Sequence, residues 1–221
     1  MVGATFKWLN HEAIVMYPKT PARKQSIYTR RKVFGVGVND SEYEVTFNFN
    51  GKRLIHNSYA IWKGMMQRGY DPKLKAKRES YKDVKVCDEW LYFSAFDKWY
   101  NEHYIDGYCL DKDIKTPGNK VYSPDDCMFV PVQVNNIIID SEGRRGEHPI
   151  GVTIDNRSGR FHARVYRLSK LISLGWFSTA EEAHEAYKRG KNESIDAVID
   201  LYPEFKEHLS QYKYKIRVNN G

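Results

Sequence analysis

The chain has 221 residues, 41% of them hydrophobic, and carries 35 Lys plus Arg against 28 Asp plus Glu, a net charge of +7. That apolar fraction excludes a disordered chain, and the length allows two small domains with modest cores. The basic balance favours an anionic partner, nucleic acid before membrane surface, and no apolar run approaches the ~18–20 residues needed to span a bilayer.

The first segment, residues 1–32, reads as an irregular basic arm. Pro18 and Pro21 precede Arg23, Lys24, Arg30, Arg31 and Lys32. Either a solvated tail or a groove-tracking arm has this composition. Met1 to Tyr17 has no signal-peptide core, so a cytoplasmic location is expected.

From Val33 to Ile55 apolar and polar residues alternate, and Asn50-Gly51 is a strong hairpin signal, predicting a small antiparallel sheet. Tyr59, Trp62, Met65 and Met66 recur at helical spacing, predicting a helix over Ser58 to Gly69. Lys63 to Lys85 then holds eight Lys or Arg against three acids. Its later part reads as a basic loop, suited to phosphate contacts or simply solvated. Leu91, Phe93, Phe96, Trp99 and Tyr100 form the apolar stripe of a second helix. Cys87, Cys109 and Cys127, an odd, sparse set without a CxxC, read as reduced thiols rather than a zinc ribbon.

The segment Gly107 to Asn136 suggests strand, loop, strand, helix. Asp111 and Asp113 open it, Gly118-Asn119 form its loop, and Asn135 and Asn136 close it. Such an order brings an Asp on the first strand near an Asn on the helix, two hard oxygen donors suited to Mg²⁺. A linker is expected at 141–149, around Arg144 and Arg145, giving a domain over 33–140 and another over 150–221.

In the last domain Arg160, His162 and Arg164 share one strand face, and Phe161, Ala163 and Val165 the other. Ser158-Gly159 is a turn, Leu168 to Leu174 a third strand, and Gly175-Trp176-Phe177 a corner. A helix starts at Ser178 with a Ser178/Glu181 capping box, its Ala183 and Ala186 permitting close approach to the sheet. Pro203 separates it from a last helix, Glu204 to Tyr212. The fold class expected is α+β: a small N-terminal sheet with helices, then a three-stranded antiparallel sheet packed on a helix.

Two stretches resemble known families. Tyr59-x-x-Trp62-Lys63-x-Met65, Val86-Cys87-Asp88-Glu89-Trp90, Asp111-Lys112-Asp113, Gly118-Asn119-Lys120-x-Tyr122-Ser123-Pro124 and Cys127-x-Phe129-Val130-Pro131 together resemble the phage HNH homing endonucleases. The resemblance covers roughly Val33 to Ile139. It implies a degenerate ββα-metal unit hydrolysing phosphodiesters with Mg²⁺ or Mn²⁺. Asp111 and Asn135 would be the metal ligands, with Asp113, Asn119 and Asp126 structural in the motif. Lys112 stands where the family has its His base, and a protonated Lys accepts no proton. The first reading is then a site-specific DNA endonuclease with Asp111 and Lys112 at its catalytic centre; the alternative is a sequence-specific DNA binder, a repressor or competitor, that has lost the cutting chemistry.

Gly151-Val152, Ser158-Gly159-Arg160, Ala163-Arg164, Leu174-Gly175-x-Phe177 and Ala180-Glu-Glu-Ala183-x-x-Ala186-Tyr187 resemble the Apetala/ethylene-response-factor DNA-binding domain. That likeness implies a sheet in the major groove, with Arg157, Arg160, His162, Arg164 and Arg167 toward DNA. A merely solvated basic face is the alternative. The expected partner is double-stranded DNA, with no small-molecule substrate, bound by a monomer in the cytoplasm of a phage-infected host.

Overall fold

A computed structural model describes residues 19–139 and 148–216. The fold is mixed α+β. It divides into two compact units, residues 1–130 and 131–221. The division falls before the expected linker, most of which lies outside the described residues, as do Arg144, Arg145 and the arm up to residue 18.

In the first unit, α1 (Lys24–Tyr28) is followed by the hairpin β1 (Thr46–Phe49) and β2 (Lys52–Ile55). Asn50 and Gly51 both take positive φ, 48° and 72°, the conformation a two-residue hairpin turn needs. Residues 19–32 are docked on this unit. Lys19 pairs with the buried Asp97 at 2.7 Å, and Arg30 Nη1 donates to the Asn39 and Ser41 carbonyls.

Helices α2 (Asn57–Tyr70) and α4 (Phe93–His103) enclose the core. Trp62, Met65, Met66, Trp90, Phe93 and Phe96 are fully buried there. Burying a side chain of that size contributes about 1.5–3 kcal/mol each. Trp62 Nε1 donates to the Trp90 carbonyl at 2.7 Å, so the indole carries no unsatisfied donor into the core.

Between these helices lies a short helix that the sequence reading had as loop. In α3 (Pro72–Lys77), Asp71 caps the backbone N–H groups of Lys73 and Leu74, and Pro72 sits in the first turn. Six residues without an apolar period leave no helical signal in the sequence. Strand β3 (Lys85–Val86) pairs in parallel with β5 (Val121–Tyr122), and β4 (Tyr108–Asp111) pairs with β6 (Met128–Pro131).

In the second unit α5 (Val132–Ile138) precedes the antiparallel sheet β7 (Val152–Asp155), β8 (Arg160–Arg167) and β9 (Lys170–Phe177). The long helix α6 (Ala180–Leu201) and the short α7 (Lys206–Ser210) follow. Val152, Ala163, Ala183 and Ala186 form the seam between sheet and α6. The cap of α6 is Thr179 with Glu182, one residue beyond the expected pair; Ser178 instead donates its backbone N–H to Glu182. Both pairs have the same spacing, so sequence alone does not separate them. Among the described residues no helix is long and apolar enough to cross a membrane.

Candidate nucleic-acid interface

Alternation along β8 sorts its side chains. Phe161, Ala163 and Val165 turn to α6, while Arg160, His162, Arg164 and Tyr166 lie on the opposite face. The register brings Thr153 and Asp155 of β7 and Leu171, Ser173 and Trp176 of β9 beside them.

The face is held in shape by contacts of its own. His162 stacks on Trp176 with ring centroids 4.2 Å apart and planes 9° from parallel. A ring nitrogen of His162 shares a hydrogen bond with Ser173 Oγ at 2.8 Å. Arg160 Nη2 donates to the Trp176 carbonyl at 3.1 Å, and Arg164 Nη2 to Thr153 Oγ1 at 3.4 Å. Four residues apart on one strand, the two arginines stand roughly 13 Å apart along it. Burial, then the Arg164 charge, holds the His162 imidazole below its ordinary value, so the ring is neutral at pH 7.

Trp176, Tyr166, Ser173 and Thr153 are the members that sequence reasoning missed. Trp176 is part of β9 and not of a corner. A bulge in β9 opposite Ala163/Arg164 shifts the alternation there. Leu174, at that irregularity, packs against the sheet–helix core, where an added Cβ on Gly190 would come within 2.7 Å of it. The turn joining β8 to β9 is Leu168-Ser169, both at positive φ (45° and 68°), a turn that no Asn or Gly announces.

The other expected arginines sit differently. Arg157 lies in the exposed turn between β7 and β8, where Asp155 accepts from its backbone N–H and from the Ser158 hydroxyl. Those bonds hold the Asp155 carboxyl below the usual carboxylate range. Arg167 falls on the helix-facing side of β8 and is ion-paired with Glu193 of α6. It therefore does not join the Arg160–Arg164 row.

In the first unit the Asp111–Asn119 loop is closely tied. Asp111 Oδ1 accepts the backbone N–H groups of Asp113 at 2.8 Å and Ile114 at 2.6 Å. Burial raises its pKa, and those two hydrogen bonds oppose the rise. Oδ2 accepts no hydrogen bond among the described residues. Lys112 is buried, and its ammonium donates to both Asp113 carboxylate oxygens at 2.7 Å and to the Asn119 carbonyl at 2.5 Å. All three donors are thus spent inside the loop. Asn119 returns the tie through Nδ2, to the Lys112 carbonyl at 2.9 Å and the Val121 carbonyl at 2.7 Å.

Asp126 Oδ2 accepts from Ser123 Oγ at 2.6 Å, fixing the turn before β6. Asn135 is half-buried on α5, in the second unit. Cys127 is buried and its thiol is pushed up to about 12 by that burial. The three cysteines are free thiols. Asp113 already neutralises Lys112, whose charge stands beside Asp111. Among the described residues no group of three or more His, Cys, Asp or Glu is placed to share a metal.

Comparison with protein-family models, with curated proteins and with solved structures finds no match to this chain.

Proposed function

We propose that the chain is a site-selective DNA-binding protein with the architecture of the phage HNH homing endonucleases, gripping duplex DNA through the open face of β7–β8–β9. The observation that carries this reading is the row Arg160–His162–Arg164 beside Trp176, on a sheet whose other face is buried by α6. The major groove admits a β-ribbon, and an Arg side chain on one grips guanine O6 and N7 or a phosphate. The sequence likeness to the Apetala/ethylene-response-factor domain supports the same orientation. Lys112, a buried ammonium whose N–H groups are all engaged and which has no lone pair to take a proton, supports binding without the family's His-based cleavage.

A second reading is metal-dependent phosphodiester hydrolysis, and the uncommitted Oδ2 of Asp111 favours it. Asp111 would then be a carboxylate ligand of Mg²⁺ or Mn²⁺, which would supply charge stabilisation at the leaving oxygen. Lys112 has no part in that reading as a base.

Incubating the protein with phage or host genomic DNA in Mg²⁺, Mn²⁺ or EDTA separates the two. The binding reading expects particular fragments retained in all three conditions and no new ends. Discrete metal-dependent ends that vanish in Asp111→Ala would establish the nuclease.

A further inference from the structure

The first unit carries a concentration of positive charge that the sheet face does not account for. Lys63 to Lys85 holds eight Lys or Arg against three acids, in a chain whose whole net charge is +7. The fold gathers these residues. Lys75 of α3 reaches across to the carbonyls of Lys82 and Val84, at 3.0 and 3.1 Å, which seats α3 over the chain leading into β3. Lys73 and Lys77, one turn apart on α3, are exposed, as is Arg78 directly after it. In the parallel ladder the Lys85 backbone N–H donates to the Lys120 carbonyl at 2.8 Å, so those two exposed cations are neighbours. Lys120 Nζ reaches back to the Ser80 carbonyl at 3.5 Å.

Two of the segment's acids are already committed. Asp71 caps α3, and Glu79 faces Lys82 at 3.4 Å. Lys77, Arg78 and Lys85 make no ion pair among the described residues, and Lys73 is near enough to Asp71 for its charge to help hold that carboxyl below the usual range. Asn119 ties the end of the Lys112 loop to β5, so this surface continues from that loop.

We infer that the surface formed by Lys73, Lys77, Arg78, Lys85 and Lys120 is a second, sequence-indifferent contact for the phosphate backbone of duplex DNA. It rests on the reading of the chain as a DNA binder and adds a grip in the first unit to the selective one in the second. The composition of the patch chooses phosphate over an acidic protein. Among the described residues none of the large exposed apolar side chains lies between 63 and 85, and Val121, beside Lys120 and 37% exposed, is a single small contact rather than an anchor cluster. A protein partner would need buried aromatic or aliphatic anchors there, whereas phosphates need only cations.

The test is the salt dependence of duplex binding by the full chain. Each phosphate contact contributes about 0.9 to the slope of log affinity against log salt. Lys73→Gln with Lys77→Gln and Arg78→Gln lowers that slope by about 2–3 on a random duplex and weakens binding at least tenfold at low salt. The sequences the protein selects stay the same. Unchanged melting shows that the fold is kept; if the triple variant melts early, Lys85→Gln with Lys120→Gln gives the same reading through a slope loss of about 2.

An unchanged slope in a folded variant overturns the inference while leaving the sheet reading intact. Retention on polyglutamate, with no change on duplex, overturns it in favour of an acidic protein partner. If the wild type binds no duplex at any salt, the inference falls together with the DNA-binding reading itself.

Discussion

Lys112 Nζ lies 2.7 Å from both carboxylate oxygens of Asp113, the residue that follows it, and closes the loop by donating to the Asn119 carbonyl. The Lys112 side chain is 9% exposed and that of Asp113 37%, so the lysine end of the pair is the desolvated one. A buried ammonium with every donor occupied stiffens a loop; it does not accept protons. Lys112→Ala removes three charge-assisted hydrogen bonds and leaves the Asn119 carbonyl without its Lys112 donor. The expected loss is about 2 kcal/mol in the first unit, given 1.5–3 for a hydrogen bond to a charged group and partial rescue of Asp113 by water. Urea unfolding followed by fluorescence of Trp62, Trp90 and Trp99 measures it. No change would mean the clamp is dispensable.

Arg160 and Arg167 end the same strand on opposite faces, and their variants should part company. Arg160→Ala or Arg164→Ala costs about 1–3 kcal/mol on a preferred duplex and relaxes the preference. Arg167→Ala breaks the pair with Glu193 and acts on the stability of the second unit, leaving site preference as it was. Binding titrations on preferred and scrambled duplexes distinguish them. A loss of preference in Arg167→Ala would contradict the assignment of faces.

Gly151 stands against Tyr187 of α6. Its φ is +80°, and an added Cβ would come 1.9 Å from the Tyr187 ring. Gly151→Ala therefore suffers both backbone strain and overlap with a ring that is buried in the fold. The expected cost is on the order of 3 kcal/mol, from a strained conformation and an overpacked site together. Thermal unfolding of the second unit reports it.

The His162 ring gives the interface a pH dependence of definite sign. Its pKa is lowered from 6.5 by burial and then by the Arg164 charge. Well above 6.5 the ring is neutral both folded and unfolded. As pH falls through 6.5 the unfolded chain takes the proton first, so the second unit loses stability below that value. Once the folded ring protonates, the face gains a cation and duplex affinity rises. Affinity measured from pH 7.5 to 5.5 should climb in the wild type and stay flatter in His162→Gln; equal profiles would remove His162 from the interface.

Much of this was legible in the residues, and the gaps have physical causes. Asn50-Gly51 announces its hairpin because few residues tolerate two successive positive φ angles. Leu168-Ser169 makes a turn of the same sign silently, held by the β8–β9 ladder on either side. The row Arg160, His162, Arg164 follows from strand alternation alone. Trp176 does not, since unbroken alternation from Leu171 and Ser173 would put it on the opposite face, and the irregularity at Leu174 is what brings it beside His162. Arg167 belongs to the same run of cations, but alternation puts it with Ala163 and Val165, off the Arg160–Arg164 row. The function of Lys112 was half visible. A Lys in place of the family's His argues against a base, and only the fold shows that Asp113 and Asn119 take all three of its donors.

The most direct measurement is selection from a random duplex pool, run in EDTA with the wild type and with Arg160→Ala/Arg164→Ala. The DNA-binding account predicts a defined sequence enriched by the wild type and lost in the double variant, with the melting of the second unit unchanged. Equal enrichment by both proteins, or none by either at low salt, would contradict it.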